Sequence, residues 1–143
     1  MNTVYETDFY SWTQQQAGLL KAGRFLDADL ENIIEEIESM GRSEKRELES
    51  RLAVLLQHLL KWKYQPARRG KSWELTIKWQ RVDFLKVLKD NPGLKPKLAG
   101  LLVDAYQSAV IKASEETGID ESDFPITCPW SFEEIANSLF YPD

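Results

Sequence analysis

Residues 43–64 read SEKRELESRLAVLLQHLLKWKY and form the clearest helix pattern in the chain. Apolar side chains recur there in alternating steps of four and three residues, which is the seam of a packed helix pair; they are Leu48, Leu52, Leu55, Leu59 and Trp62. Pro66 has no amide hydrogen and disfavours helix at the residue before it, so the helix should end near Tyr64. We therefore predict a long central helix over residues 43–64.

Similar apolar repeats on both sides of this segment predict five more helices. Gly41 is expected to end the helix before the central one, and Ser43 to cap the central one. Residues 73–79 alternate like a strand, but the pattern beyond Gln80 is helical and no partner strand is evident, so we predict helix there. The six predicted helices span residues 8–22, 28–40, 43–64, 73–89, 94–117 and 131–139.

These helices predict an all-α fold, a single-domain helical bundle covering residues 1–143. The apolar stripes of the second and third helices should face its core. We expect the buried core to include Leu52, Leu55, Leu59, Ile33 and Ile37.

Composition excludes several classes of protein. The chain has one cysteine and one histidine, so it can form neither an internal disulfide nor a Cys/His zinc site of its own. No apolar run approaches the roughly 20 residues that span a bilayer, and the start of the chain lacks a signal-peptide pattern. We expect a cytoplasmic protein with no cofactor, no bound metal and no membrane contact.

The net charge of −5 conceals two segments of opposite sign. Residues 61–81 carry seven basic side chains and one acidic one, whereas all six charges in residues 27–38 are acidic. One interpretation is that the two segments face each other, within one fold or across a dimer. The other is that the basic segment forms an external anion-binding face.

The basic segment also contains aromatic residues, among them Trp62, Trp73 and Trp79. Nucleic-acid surfaces combine cations for the phosphates with rings for the bases, although Trp79 also lies on an apolar stripe that predicts a core position. The cations that would bind nucleic acid or another anion are Lys61, Arg68, Arg69, Lys71, Lys78 and Arg81.

His58 is the one candidate for acid–base chemistry, because histidine titrates near neutral pH. It lies on the flank of the central leucine stripe, where a hydrogen-bonded structural histidine is more typical than a functional one. We expect it to be buried without a metal, bonded to an acidic residue or a backbone carbonyl, in a polar cluster with Asp29 and Arg81. No serine or cysteine motif supplies a nucleophile for it, so a catalytic role is the weaker hypothesis.

Several short motifs carry a family resemblance over nearly the whole chain. They read EEIESMGRSE at residues 35–44, HLLKW at 58–62, SW and QR at 72–73 and 80–81, AY at 105–106, and FP and CPW at 124–125 and 128–130. In order and spacing they resemble the bacterial domain-of-unknown-function family twenty-nine. The resemblance implies a helical fold and a bacterial source, and it implies no catalytic residues.

Three functions remain open on the sequence alone. The leading hypothesis is a small helical protein-interaction module without catalysis, which associates with itself or neutralises a partner protein. The first alternative is a protein that binds nucleic acid or phosphate through residues 61–81. The second is a hydrolase-type enzyme with His58 as its acid–base group.

Overall fold

A computed structural model describes residues 3–143 of the chain and confirms the all-α fold. Within these residues there is no β-strand, and short 3-10 turns join the helices. No described helix has the length and apolarity that crossing a membrane requires. The helices are α1 (Thr3–Thr7), α2 (Phe9–Lys21), α3 (Leu30–Tyr64), α4 (Lys71–Asp90), α5 (Leu98–Thr117) and α6 (Phe132–Ala136).

Helix α3 corrects the predicted central helix. It runs without interruption for 35 residues from Leu30 to Tyr64, so the predicted end at Gly41 and the predicted cap at Ser43 were both wrong. Gly41 does not adopt the left-handed conformation that ends a helix. A glycine inside a helix costs only about 1 kcal/mol relative to alanine, and the flanking residues include the good helix formers Glu38, Met40 and Arg42.

Other predicted helix boundaries agree more closely with the structure. Residues 73–79 are helical as predicted, because α4 spans Lys71–Asp90. Gly118 ends α5 with φ of 78°, and Ser131 and Glu134 form a capping box at the start of α6. Elsewhere α5 begins four residues late and α6 ends three residues early, and the short helix α1 was not predicted.

The chain divides into two compact units, one ending at Ser43 and the other spanning Glu44–Asp143. The first unit is built around Trp12, which is buried and packs on the rings of Tyr5 and Phe9. The Trp12 indole Nε1 donates a 3.1 Å hydrogen bond to Asp29 Oδ2, and the Asp29 amide donates to Gln16 Oε1 at 2.7 Å. This unit therefore has a small core with a polar edge.

The second unit contains the main hydrophobic core. Six leucines of α3 are fully buried there, against Phe84 of α4, the small residues Ala105 and Ala109 of α5, and Ile135 of α6. The predicted core residues Leu52, Leu55 and Leu59 are among the six, and this part of the prediction is confirmed.

The prediction was wrong for the other two core residues. Ile37 is 62% exposed and Ile33 is only half-buried, although both belong to the apolar stripe that the sequence placed in the core. Within the first unit, α1 and α2 leave much of this stripe exposed.

Two arginines attach the end of the chain to the second unit. Arg81 Nε donates to the carbonyl of Ile135 at 2.9 Å, and its Nη2 donates to the carbonyl of Phe140 at 2.6 Å. Arg69 donates from Nε to Trp62 O and from Nη2 to Asp143 O, both at 2.7 Å. We call these contacts the arginine clasp.

Candidate functional site

The first part of α3 exposes an apolar stripe with acidic neighbours. Ile37 and Met40 are 62% and 67% exposed, and Leu30 and Ile34 are nearly as open. Residues three, four and seven apart lie on one side of a helix, so these side chains are contiguous. Glu31 and Glu38 border them at helical spacing. We call this surface the acidic stripe; it consists of Leu30, Ile34, Ile37 and Met40 with Glu31, Glu35 and Glu38.

Two other carboxylate contacts lie in the same unit. Arg42 forms a salt bridge with Glu35 at 2.9 Å, between two exposed side chains. The Tyr5 hydroxyl donates to Glu36, and this hydrogen bond raises the pKa of Tyr5 to about 12. Glu36 therefore belongs to the packing of the first unit, whereas Glu31 and Glu38 remain on the open side.

Helix α4 exposes a second apolar surface, in this case among lysines. Trp79 is 63% exposed, so the core position predicted for it was wrong, and Leu75, Val82 and Leu85 are also exposed. Lysines lie between them at helical spacing and are exposed too. We call this surface the basic face; it consists of Leu75, Trp79, Val82 and Leu85 with Lys71, Lys78, Lys86 and Lys89.

The six cations proposed as an anion-binding set are not equivalent in the structure. Lys61 is engaged by Glu116 at 2.9 Å, and Arg69 and Arg81 hold the clasp. Arg68, Lys71 and Lys78 are exposed. Three of the six predicted cations therefore make contacts within the protein. The exposed lysines of α4 form a group that shares Lys71 and Lys78 with the predicted set and adds Lys86 and Lys89.

His58 takes part in a polar group at the packing of α3 on α5. Its Nδ1 lies 2.9 Å from Val54 O, to which it donates as the Nδ1–H tautomer. Glu116 accepts hydrogen bonds from Gln57 Nε2 and Lys61 Nζ, and the contact with Lys61 is the main cause of the lowered pKa of Glu116. Burial lowers the pKa of His58; the bond to Val54 raises it, and Lys61 lowers it further.

The hydrogen bonds described for the proposed Asp29, His58 and Arg81 cluster go to different partners. Asp29 accepts from Trp12 and Asn32, His58 contacts Val54 O, and Arg81 donates to carbonyls of the C-terminal segment. A backbone carbonyl was one of the partners expected for His58. Among residues 3–143, no three acidic, histidine or cysteine side chains are grouped as a metal site.

Sequence reasoning missed both the clasp and the exposure of the basic face. A buried arginine bonded to carbonyls leaves no local pattern, because its acceptors, Ile135 and Phe140, are more than 50 residues away. The basic face did carry a signal, since lysines among the apolar residues of a predicted helix favour a half-exposed surface.

These features define an all-α protein whose described residues expose two apolar helix faces with oppositely charged borders. The family model with the description "Domain of unknown function DUF29" matches residues 4–141. The chain therefore belongs to this family, as its motifs indicated. Neither the curated proteins nor the solved structures yielded a match.

Proposed function

We propose that this protein is a self-associating helical interaction module of the cytoplasm. In this proposal the acidic stripe of one copy docks on the basic face of a second copy. The main observation in its support is that one chain exposes two apolar helix faces, which are flanked by side chains of opposite charge. Contiguous exposed apolar surface on a small protein commonly marks an interaction site.

Charge complementarity supports pairing of unlike faces. All six charges in residues 27–38 are acidic, whereas the four charged side chains of the basic face are lysines. Two acidic stripes would bring glutamates together, and two basic faces would bring lysines together, and both arrangements are repulsive. Docking of stripe on face buries apolar side chains on both partners and brings opposite charges close.

In the proposed assembly, two copies exchange this contact reciprocally. Each copy then supplies one stripe and one face, which gives a closed dimer with twofold symmetry and two equivalent contacts. The exposed apolar anchors include Ile37 and Met40 on one side and Trp79 on the other. Aromatic and large apolar residues dominate the binding energy of protein interfaces.

Charge reversal tests the proposal. Sedimentation equilibrium of the full chain should show a monomer–dimer equilibrium that weakens as salt rises. Reversing the stripe with Glu31→Lys, Glu35→Lys and Glu38→Lys, or the face with Lys71→Glu, Lys78→Glu and Lys86→Glu, should raise the dissociation constant about tenfold or more. The matched control is Lys95→Glu, Lys97→Glu and Lys112→Glu, which reverses three exposed lysines elsewhere.

Mixing the two reversed variants gives the decisive result. One variant has two basic surfaces and the other two acidic surfaces, so each should dissociate alone while the mixture forms a heterodimer. A wild-type chain that stays monomeric at every concentration would refute the proposal. So would a dimer that neither set of reversals weakens.

Nucleic-acid binding is the second candidate, and the exposure of Trp79 among lysines favours it. Exposed rings stack on bases while lysines contact phosphates. Filter binding at low salt should then retain RNA or single-stranded DNA, and affinity should fall steeply with salt. Trp79→Ala and the lysine reversals should abolish retention, whereas the glutamate reversals should leave it intact. Self-association requires both surfaces, so the two functions are distinguishable.

A further inference from the structure

A cavity of about 380 Å³ lies between α4 and the C-terminal segment of the second unit. Val82 and Leu85 contribute apolar walls from α4, and Ala136 and Tyr141 close the opposite side. Its size is at the lower end of the range for small-molecule sites. A ligand of only a few carbon atoms would fit such a space.

Arg81 also lines this cavity, and its charge has no carboxylate partner. The side chain is only 3% exposed, and both of its hydrogen bonds go to neutral carbonyl oxygens. Among residues 3–143, no aspartate or glutamate forms a salt bridge with it. The guanidinium also lies over the Tyr141 ring, 5.6 Å from its centroid. These contacts supply no negative charge, and a buried charge is normally paired with one, so a guanidinium without a counter-ion beside a cavity favours an anion there.

The rest of the lining strengthens this electrostatic preference. Lys78 adds a second cation at the cavity, and the described lining contains no acidic side chain. A second cavity of the same unit differs in this respect: Glu44, Glu47, Asp83 and Asp90 line it beside Arg51 and Lys86, so acidic side chains outnumber basic ones there. The charged side chains that line the cavity at Arg81 are thus all positive.

We propose that this cavity binds a small organic anion, a monocarboxylate with a short apolar body. Arg81 has used Nε and Nη2 on the clasp, so Nη1 is left to donate to the carboxylate in a charge-assisted hydrogen bond. The apolar body packs against Val82 and Leu85. The proposal does not rest on self-association, although Lys78, Val82 and Leu85 also belong to the basic face.

Calorimetric titration of the full chain with hexanoate tests the site, with 1-hexanol as the uncharged analogue and acetate as the analogue without an apolar body. Hexanoate should bind, and each analogue should bind about tenfold more weakly or worse, because the site requires both charge and apolar contact. Hexyl phosphate distinguishes a carboxylate preference from a general preference for anions. If hexanoate does not bind, or if hexanol binds equally well, the proposal is wrong.

Two substitutions locate the binding. Ala136→Leu places extra atoms in the cavity while Arg81 itself is not substituted. It should weaken the binding of hexanoate about tenfold or more. Ala99→Leu, at an exposed position of α5, is the matched control and should leave binding unchanged. Unchanged affinity in Ala136→Leu would overturn the assignment of the site. Titrating the Glu31→Lys, Glu35→Lys, Glu38→Lys variant removes competition by a second copy, so failure here is distinct from failure to dimerise.

Discussion

The two halves of α3 carry similar apolar repeats and have opposite surroundings. In residues 44–64 six leucines are fully buried by α4, α5 and α6. In residues 30–43 the repeat is largely open, and Ile37 and Met40 are more than half exposed. The helix itself is continuous through both halves.

This contrast separates two properties that a repeat is often taken to imply together. Periodicity determines that a helix has an apolar side. Whether that side is buried depends on the elements available to cover it, and residues 3–29 of the first unit provide two helices and a 3-10 turn. The apolar side of residues 30–43 is therefore the part of α3 that a second molecule can bury.

The largest expected effect is in the buried half. Leu55→Ala should lower the free energy of unfolding by roughly 2–5 kcal/mol, because it leaves a cavity in a fully packed core. Urea denaturation followed by circular dichroism would measure this loss. A loss below about 0.5 kcal/mol, the range of ordinary surface substitutions, would contradict the claim that residues 44–64 of α3 are buried and residues 30–43 are exposed.

The packing of the C-terminal segment in the second unit should depend on the arginine clasp. Arg81→Met should cost roughly 1.5–3 kcal/mol, since hydrogen bonds from a charged donor are lost and the carbonyls of Ile135 and Phe140 lose their partner. Lys78→Met, on the exposed side of the same helix, is the control and should have almost no effect on the same denaturation curve. Equal losses for the two variants would mean that the clasp contributes nothing.

His58 should make a smaller contribution. Because Val54 O also accepts the usual helical hydrogen bond, His58→Ala removes a contact without leaving a bare acceptor, and about 0.5–1.5 kcal/mol is expected. Thermal unfolding would measure it. A larger loss would indicate that His58 supports more of the packing between α3 and α5 than this single hydrogen bond.

The pH dependence of stability provides an independent measure of His58. Burial lowers its pKa in the folded state, so on acidification the unfolded chain binds the proton first. Stability should therefore be complete above a pH of about 6.5 and should fall as the pH drops from there toward the lowered pKa. His58→Gln should flatten this decline. An identical decline in His58→Gln would assign it to other groups.

The smallest effect is expected in the open half. Ile37→Ala should change the unfolding free energy of the monomer by less than about 0.5 kcal/mol, because the side chain has little packing to lose. It should instead weaken dimerisation in sedimentation experiments. A large loss of monomer stability would show that Ile37 is covered within its own chain and would contradict the proposed docking surface.

Much of the fold was predictable from the sequence because local signals were strong. The capping box at Ser131 and Glu134, the glycine end of α5 and the leucine repeat of residues 48–59 each act over a few residues. Gly41 misled the prediction because a glycine ends a helix only where the chain also turns. Ile37 misled it because burial depends on distant elements, which periodicity does not report.

The candidate surfaces were predictable in charge but not in detail. The acidic and basic segments were visible in the composition, and they include the glutamates of the stripe and Lys71 and Lys78 of the face. The inward direction of Lys61, Arg69 and Arg81 was not, because each depends on an acceptor far along the chain. Charge counts identify a segment, whereas tertiary contacts decide which of its members reach solvent.

The arginine clasp has a consequence for how this protein can evolve. Its acceptors are main-chain carbonyls, which every amino acid provides, so exposed side chains of the C-terminal segment can change without loosening it. Tyr141 is an exception, because its ring packs on Trp62 and lies under Arg81. Leu139, which is 86% exposed, should tolerate nearly any replacement in a mutational scan. The donors have no such freedom, because lysine lacks the planar fork that reaches two carbonyls at once. Substitutions should therefore accumulate in the segment that is held and remain rare at the two arginines that hold it.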